Sequence, residues 1–171
     1  MEFIALLDAK NVKPKEKTEA VSEWILNNAT LINEFIGFAS VSKDPVKATC
    51  MEALEFATKA KPEIASKECL EFATKSLSEK APRIKWESAR VIANIVHLYP
   101  DQLDIAVKNL LANSSHDGTV VRWSAALALG QIIILKLPCN KELIPIAESI
   151  INREEKNSIR KIYLNALKKL K

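Results

Sequence analysis

The chain has 171 residues, of which 48% are hydrophobic and 27% are charged, with a formal net charge of +4. This composition supports one domain with its own core and excludes a disordered chain. The chain has only three glycines, which argues against a β-rich fold or a phosphate-cradling enzyme, because tight turns and close backbone approaches need glycine.

Prolines separate a series of amphipathic segments, and proline is well tolerated in the first turn of a helix. The helical spacing of apolar residues predicts ten helices, over residues 2–10, 15–28, 30–41, 45–60, 62–79, 82–99, 101–114, 119–136, 140–152 and 156–170. Asp101 is predicted to cap or open its helix. The short links between these segments make neighbouring helices antiparallel. We therefore predict one all-α domain over residues 1–171, with helix pairs at 1–28, 30–60, 62–99, 101–136 and 140–170.

Every second helix from the fourth onward repeats the same pattern. A β-branched residue followed by a cation opens each of these helices, at Val46-Lys47, Ile84-Lys85, Val121-Arg122 and Ile159-Arg160. The successive offsets are 38, 37 and 38 residues. A fixed period of this size predicts a solenoid, in which stacked helix pairs bury their apolar faces against one another.

The strongest repeat unit, Asp117–Gly130 (DGTVVRWSAALALG), resembles the second helix of a HEAT repeat. Asp44–Lys47 is similar to its start, and Leu143-Ile-Pro-Ile146 resembles a first helix bent by proline. The resemblance extends from about residue 44 to the end and is poor over residues 1–40. It implies a right-handed α-α superhelix, a HEAT-like solenoid, of about five antiparallel helix pairs. The 34-residue period of tetratricopeptide repeats and the third helix of armadillo repeats fit less well.

In HEAT solenoids the second helices line the concave surface. Advancing 100° per residue from a core-facing Ile84 places on that surface Trp86, Arg90, Asn94, Trp123, Leu127, Gln131 and Lys161, with Ala48, Glu87 and Ser124 beside them. Exposed Trp and Arg are frequent interface anchors, so these residues are predicted to bind a partner. The alternative is that Trp86 and Trp123 only pack between adjacent helices.

The cations that follow the β-branched residues form a second row, made of Lys47, Lys85, Arg122 and Arg160. The resemblance implies a structural ladder in which these side chains brace turn acids, such as Asp44 and Asp117, in their own or the next repeat.

The charge is concentrated at the C-terminal end. From Arg153 to Lys171, seven Lys and Arg residues stand against two acids. We interpret this segment as the solvated outer face of a terminal repeat. The alternative is a basic patch for an acidic partner or for nucleic acid.

Cysteine usage and the absence of targeting segments indicate the compartment. Three cysteines without C-x-x-C spacing predict buried free thiols in a reducing cytoplasm, and neither a disulfide framework nor a metal site. The N-terminus lacks the basic region of a signal peptide, and no apolar run approaches the roughly 18 residues that span a membrane. We expect a soluble, cytoplasmic protein without cofactor, metal or membrane contact.

The sequence was searched for the residue patterns of known catalytic and nucleotide-binding sites. Nucleotide-binding and hydrolase motifs do not occur, and His97 and His116 are interpreted as a helix-end and a turn residue. The sequence predicts a non-catalytic module that binds a protein partner. The alternatives are nucleic-acid binding, which Glu52 and Glu87 would oppose, and a HEAT-like DNA-repair enzyme. The resemblance puts the acid of such an enzyme one turn after a groove tryptophan, where Arg90 and Leu127 stand instead. A lyase-type or chaperone role stays open.

Overall fold

The computed structural model describes residues 2–170, so Met1 and Lys171, the last cation of the basic segment, lie outside it. Within this span the chain forms ten α-helices, four short 3-10 turns and no strand. The helices are α1 (Glu2–Asp8), α2 (Pro14–Asn27), α3 (Ile32–Val41), α4 (Asp44–Ala60), α5 (Lys67–Ser76), α6 (Pro82–Ile95), α7 (Asp104–Asn113), α8 (Thr119–Ile134), α9 (Asn140–Arg153) and α10 (Asn157–Lys168).

The helices form two layers. The even-numbered helices, called the second helices below, pack side by side in one continuous row from α2 to α10. Each odd-numbered helix packs on the second helix that follows it, and among the odd-numbered helices α5 also packs on α3 and α7. The prediction of an all-α solenoid is confirmed.

Two predicted helices begin later than expected. The segments predicted at 62–79 and 101–114 open with the 3-10 turns Pro62–Ile64 and Pro100–Gln102, and α5 and α7 begin only at Lys67 and Asp104. Before α5, the Ser66 side chain accepts a hydrogen bond from the Cys69 backbone N–H at 3.1 Å, which makes Ser66 the N-cap. Asp101, predicted to open its helix, lies within the second turn.

The core lies between the two layers, where Ile84, Ile92 and Leu129 are fully buried. At the N-terminal end, aromatic rings fill the space between the first two helix pairs. The Phe3 ring centroid lies 4.7 Å from that of Trp24 and 5.1 Å from that of Phe35. Phe3 therefore joins the short helix α1 to the rest of the solenoid.

The thiols of Cys50 and Cys69 are buried and free, and burial raises the pKa of each to about 12. Across residues 2–170, no helix combines the length and the apolar character that crossing a membrane requires.

Candidate functional site

Corresponding residues of the second helices line up across the solenoid. Ala48, Trp86, Trp123 and Lys161 each lie five residues after the N-cap of their helix. Trp123 is 37% exposed, Trp86 is half-buried and Lys161 is exposed, whereas Ala48 is only 4% exposed. The row predicted from sequence therefore reaches solvent on α6, α8 and α10. It does not do so on α4, where the side chain at this position is a short alanine.

Val120 enlarges the exposed apolar area around Trp123. It lies three residues before Trp123 in the first turn of α8 and is 51% exposed, and residues at this spacing are neighbours on a helix surface. The sequence analysis missed Val120, although the adjacent pair Val120-Val121 was the available signal. Consecutive residues of a helix point about 100° apart, and of this pair Val121 is the buried one.

Leu127 and Gln131 continue this surface toward α10. Together with Gly130, Ile134 and residues of α10 they line a shallow pocket of about 170 Å³. Its other side is formed by Ile162, Asn165 and Ala166 of α10 and by Lys169, the residue after that helix. The pocket places an apolar floor beside the amides of Gln131 and Asn165 and the ammonium of Lys169. We call Trp86, Val120, Trp123, Leu127 and Gln131, with Lys161, the second-helix surface.

Trp86 is held by a buried ionic network. Its indole N–H donates to Glu87 Oε1 at 2.7 Å. The Arg90 guanidinium lies 3.3 Å from Glu87 Oε2 and 3.1 Å from Glu55 Oε1. Glu55 Oε2 is buried and has no hydrogen-bond partner within residues 2–170. Burial raises the pKa of both carboxyls, and Arg90 acts in the opposite direction.

The expectation that Glu87 and Ser124 face outward beside the tryptophans is wrong. Glu87 is 3% exposed and Ser124 is fully buried. Both lie six residues after the N-cap of their helix, a position turned toward the preceding second helix. Projection from the core of a single helix omitted the neighbours on either side, and in a solenoid these neighbours cover most of the circumference.

Arg90 and Asn94, which were predicted to contact a partner, bind polar groups of this chain instead. The Asn94 side-chain amide donates to the backbone carbonyl of Glu55 and to Thr58 Oγ1, both at 3.1 Å. Arg90 joins α6 to α4 through Glu55. One second helix earlier, Glu52 accepts from Arg83 at 2.7 Å and from Thr18 at 2.9 Å. These bonds connect α2, α4 and α6 side by side.

The cation ladder joins consecutive repeats near their turns. Lys47 Nζ lies 2.9 Å from Glu79 Oε1. Lys85 Nζ donates to the Leu77 carbonyl at 3.0 Å and to Asn113 Oδ1 at 3.2 Å. Each cation thus reaches an acceptor at the end of the next odd-numbered helix or in the turn after it.

The third cation of the ladder is the most fully paired. Arg122 Nε donates to Glu154 Oε2 at 2.9 Å, and its guanidinium also donates to the carbonyls of His116 and Asp117. Burial alone would raise the pKa of Glu154, but hydrogen bonds from Arg122 and from the Lys156 backbone N–H hold it below the ordinary value.

The predicted acid partners of the ladder need correction. The acceptors are Glu79, Asn113 and Glu154, whereas Asp44 is exposed and Asp117 contributes its backbone carbonyl to Arg122. The acceptors lie at the end of an odd-numbered helix or early in the turn after it, and not at the Asp positions of the resembled repeat. Lys17 is a further cation of the ladder, which the sequence analysis did not include. It lies four residues after its N-cap, as Lys47 does, and donates to the Leu7 carbonyl. Arg160 Nε is buried and unpaired in the described residues.

The polar residues considered for chemistry lie apart. His116 accepts a hydrogen bond from the Gly118 backbone N–H at its Nδ1, at 2.9 Å, whereas His97 is exposed in the 3-10 turn that follows α6. In the described part of the chain, no group of three or more His, Cys, Asp or Glu side chains is placed to hold a metal ion. The acid found beside Trp86 is Glu87, adjacent in sequence rather than one turn later, and Arg90 and the indole occupy its oxygens.

Comparison with known proteins identifies the fold. No family model and no curated protein matches the sequence. A designed armadillo repeat protein in complex with the peptide (KR)4 aligns over 99% of this chain and 80% of its own, with a TM-score of 0.73 and 16% identity. A computationally designed armadillo repeat protein for modular peptide recognition aligns over 98% and 80%, with a TM-score of 0.69 and 16% identity.

An engineered protein gives a TM-score of 0.69 at 18% identity and covers 99% of this chain and 47% of its own. The chain has an armadillo-repeat-like α-solenoid fold. Identities this low show the fold alone.

Proposed function

We propose that this protein is a non-catalytic interaction module that binds a segment of a protein partner across its second-helix surface. The observation that carries the proposal is the exposed apolar patch of α8. Val120 and Trp123 are 51% and 37% exposed, whereas nine other residues of the helix are buried. Tryptophan contributes disproportionately to protein interfaces, and an exposed apolar cluster rimmed by polar groups is typical of a binding site.

The residues of this surface have different proposed roles. Trp86, Trp123 and Leu127 are the apolar anchors, and Gln131 and Lys161 offer hydrogen bonds to a partner at the rim. Arg90 and Asn94 act indirectly, because their bonds to Glu87, Glu55 and Thr58 hold α6 and the Trp86 ring in place. The peptide bound to one of the designed armadillo repeat proteins supports a peptide segment as the ligand.

We further infer that the repeats are of the HEAT type and that the second-helix surface is concave. Two helices per repeat, the period of 37 or 38 residues, and Pro145 within the first helix α9 support this assignment. Buried free thiols at Cys50 and Cys69 favour a reducing compartment such as the cytoplasm. The burial of Glu55 and Glu87 supports a non-catalytic role, because a substrate atom would have little access to either carboxylate.

The test is a peptide selection followed by measurement of affinity. Peptides selected from a random display library are labelled, and their binding is measured by fluorescence anisotropy. We expect Trp123→Ala and Val120→Ser each to weaken binding by about tenfold or more, a change of about 1.4 kcal/mol. Ile105→Ser is the matched control, because Ile105 is 68% exposed on the odd-numbered helix α7. Equal affinity of all three variants would contradict the proposed surface.

Oligonucleotides in the same assay test the main alternative. Nucleic-acid binding weakens steeply with salt because phosphate contacts release counterions, whereas an aromatic protein anchor is much less sensitive. Tight, salt-sensitive binding of DNA or RNA that Lys161→Ala weakens, without any selected peptide, would replace the proposed function with nucleic-acid binding.

A further inference from the structure

Helix α10 exposes an apolar residue at a position that is buried in α2, α4, α6 and α8. Leu164 lies eight residues after the N-cap of α10 and is 47% exposed. The residues at this position in α2, α4, α6 and α8 are Val21, Met51, Ala89 and Ala126, and each is 0 or 1% exposed. In those four helices the following repeat lies against this side. The expectation that the C-terminal face is simply polar and solvated therefore misses Leu164.

Internal contacts define which positions meet between consecutive second helices. Gly130, twelve residues after the N-cap of α8, packs on Ile162 and Ala166, which lie six and ten residues after the N-cap of α10. A β-carbon on Gly130 would lie 3.4 Å from Ile162 Cγ2 and 3.6 Å from Ala166 Cβ. Thr18, five residues after its N-cap, likewise bonds to Glu52 of the following second helix. Positions five and twelve therefore face the following repeat, and positions six, nine and ten face the preceding one. Position eight lies on the same side as position twelve, because residues four apart are neighbours on a helix surface.

The two ends of the solenoid carry opposite charges at these positions. On α10, positions five, eight and twelve are Lys161, Leu164 and Lys168, which we call the C-terminal edge. On α2, positions six and ten are Glu19 and Glu23, which we call the N-terminal edge. All five side chains are exposed. If a second copy continued the repeat spacing, Lys168 of one copy would lie opposite Glu19 and Glu23 of the next, as Gly130 lies opposite Ile162 and Ala166.

We propose that copies of this chain stack head to tail, with the C-terminal edge of one copy against the N-terminal edge of the next. The stack buries Leu164, Lys168 pairs with the glutamates, and Lys161 adds positive charge beside this junction. A symmetric contact between two C-terminal edges would place lysine against lysine, which like-charge repulsion opposes. Because a head-to-tail contact does not close on itself, it extends into short linear assemblies as the concentration rises.

Sedimentation velocity and light scattering of the full chain test this assembly. We expect the weight-average mass to rise above the 19.1 kDa of one chain as concentration increases at low salt, and to fall back when salt screens the ion pairs. Leu164→Glu should abolish the rise. Val41→Glu is the matched control, because Val41 is an 84% exposed apolar residue of α3 that belongs to neither edge. A wild-type chain that stays at the mass of one copy at every concentration would overturn the proposal.

Charge reversal separates the head-to-tail contact from other modes. Lys161→Glu/Lys168→Glu and Glu19→Lys/Glu23→Lys should each weaken self-association by at least about tenfold. Their mixture should recover assembly with the two variants alternating, because each edge of one variant then faces an oppositely charged edge of the other. If only the lysine changes have an effect and the mixture stays dissociated, the C-terminal edge binds some other surface and the proposal is wrong. Circular dichroism of each variant checks that the helices remain folded.

Discussion

The carboxylates of Glu55 and Glu87 are both buried beside a single arginine, Arg90. Burial raises the pKa of both above the ordinary 4.5, so the native state binds these protons more tightly than the unfolded state. The free energy of unfolding therefore falls as the pH rises from 4.5 through the raised native pKa. Below 4.5 both states are protonated and this loss disappears.

Replacing one of these carboxyls by an amide removes its part of the pH dependence. We expect Glu87→Gln to be less stable than the wild type near pH 4.5. At this pH an amide and a protonated carboxyl differ little in charge, but the amide alters the hydrogen bond that Trp86 makes to this side chain. The difference should shrink or reverse as the pH rises to 8. Denaturant unfolding of both proteins at several pH values measures it. Glu71→Gln controls for the loss of an exposed negative charge, and a difference that grows with pH would contradict the argument.

At the same scale, the sequence located the tryptophans but not their surroundings. Trp86 and Trp123 could be aligned because the repeat period fixes their phase relative to Val46, Ile84 and Val121. Their exposure could not be derived, since it depends on the residue that the adjacent helix places beside them. The same limitation explains why Glu87 was expected to face outward and why Glu55 was not considered.

The cation ladder joins consecutive helix pairs, and mutation of its cations compares how much each one contributes to stability. Removing Arg122 leaves Glu154, whose side chain is 5% exposed, without its cationic partner. We expect Arg122→Ala to lower the free energy of unfolding by about 2–3 kcal/mol, because the buried carboxylate loses the hydrogen bonds from Arg122 and keeps the one from the Lys156 backbone N–H.

Arg160 provides the matched comparison. It holds the same position in α10 as Arg122 holds in α8, but its Nε has no partner in the described residues. Arg160→Ala should lower stability by less than about 1 kcal/mol. Chemical denaturation of both variants at neutral pH measures the two values. Equal losses would mean that packing of the arginine stems, rather than pairing with the next repeat, stabilises these turns.

Helix positions were predictable because apolar periodicity and prolines are local signals. Helices α4, α6, α8 and α9 begin within one residue of their predicted starts. The starts of α5 and α7 were missed, since Ser66 and the 3-10 turn after Pro100 compete with a longer helix. The acceptors of the ladder could not be predicted from a single repeat, because Glu79, Asn113 and Glu154 lie 32, 28 and 32 residues beyond their cations.

For the whole molecule, a solenoid has no contacts between distant repeats. Its stability is then close to a sum of repeat terms and nearest-neighbour interfaces. The end pair α1–α2 has one neighbouring repeat, and α1 buries only Phe3 and Leu7, whereas α6 is packed between α4 and α8. We expect amide hydrogen exchange to be fastest in α1 and slowest in α6 and α8, as measured by mass spectrometry of peptide fragments.

Two core substitutions distinguish this gradient from a fully cooperative fold. Phe3→Ala removes ring contacts to Trp24 and Phe35, so faster exchange should be confined to α1, α2 and α3. Ile92→Ala, in the fully buried centre of α6, should lower stability by about 2–4 kcal/mol and speed exchange in α4, α6 and α8 together. If Phe3→Ala instead speeds exchange equally along the whole chain, the repeats unfold as one unit. In that case the interfaces between neighbouring repeats contribute so much of the folding free energy that no single repeat unfolds on its own.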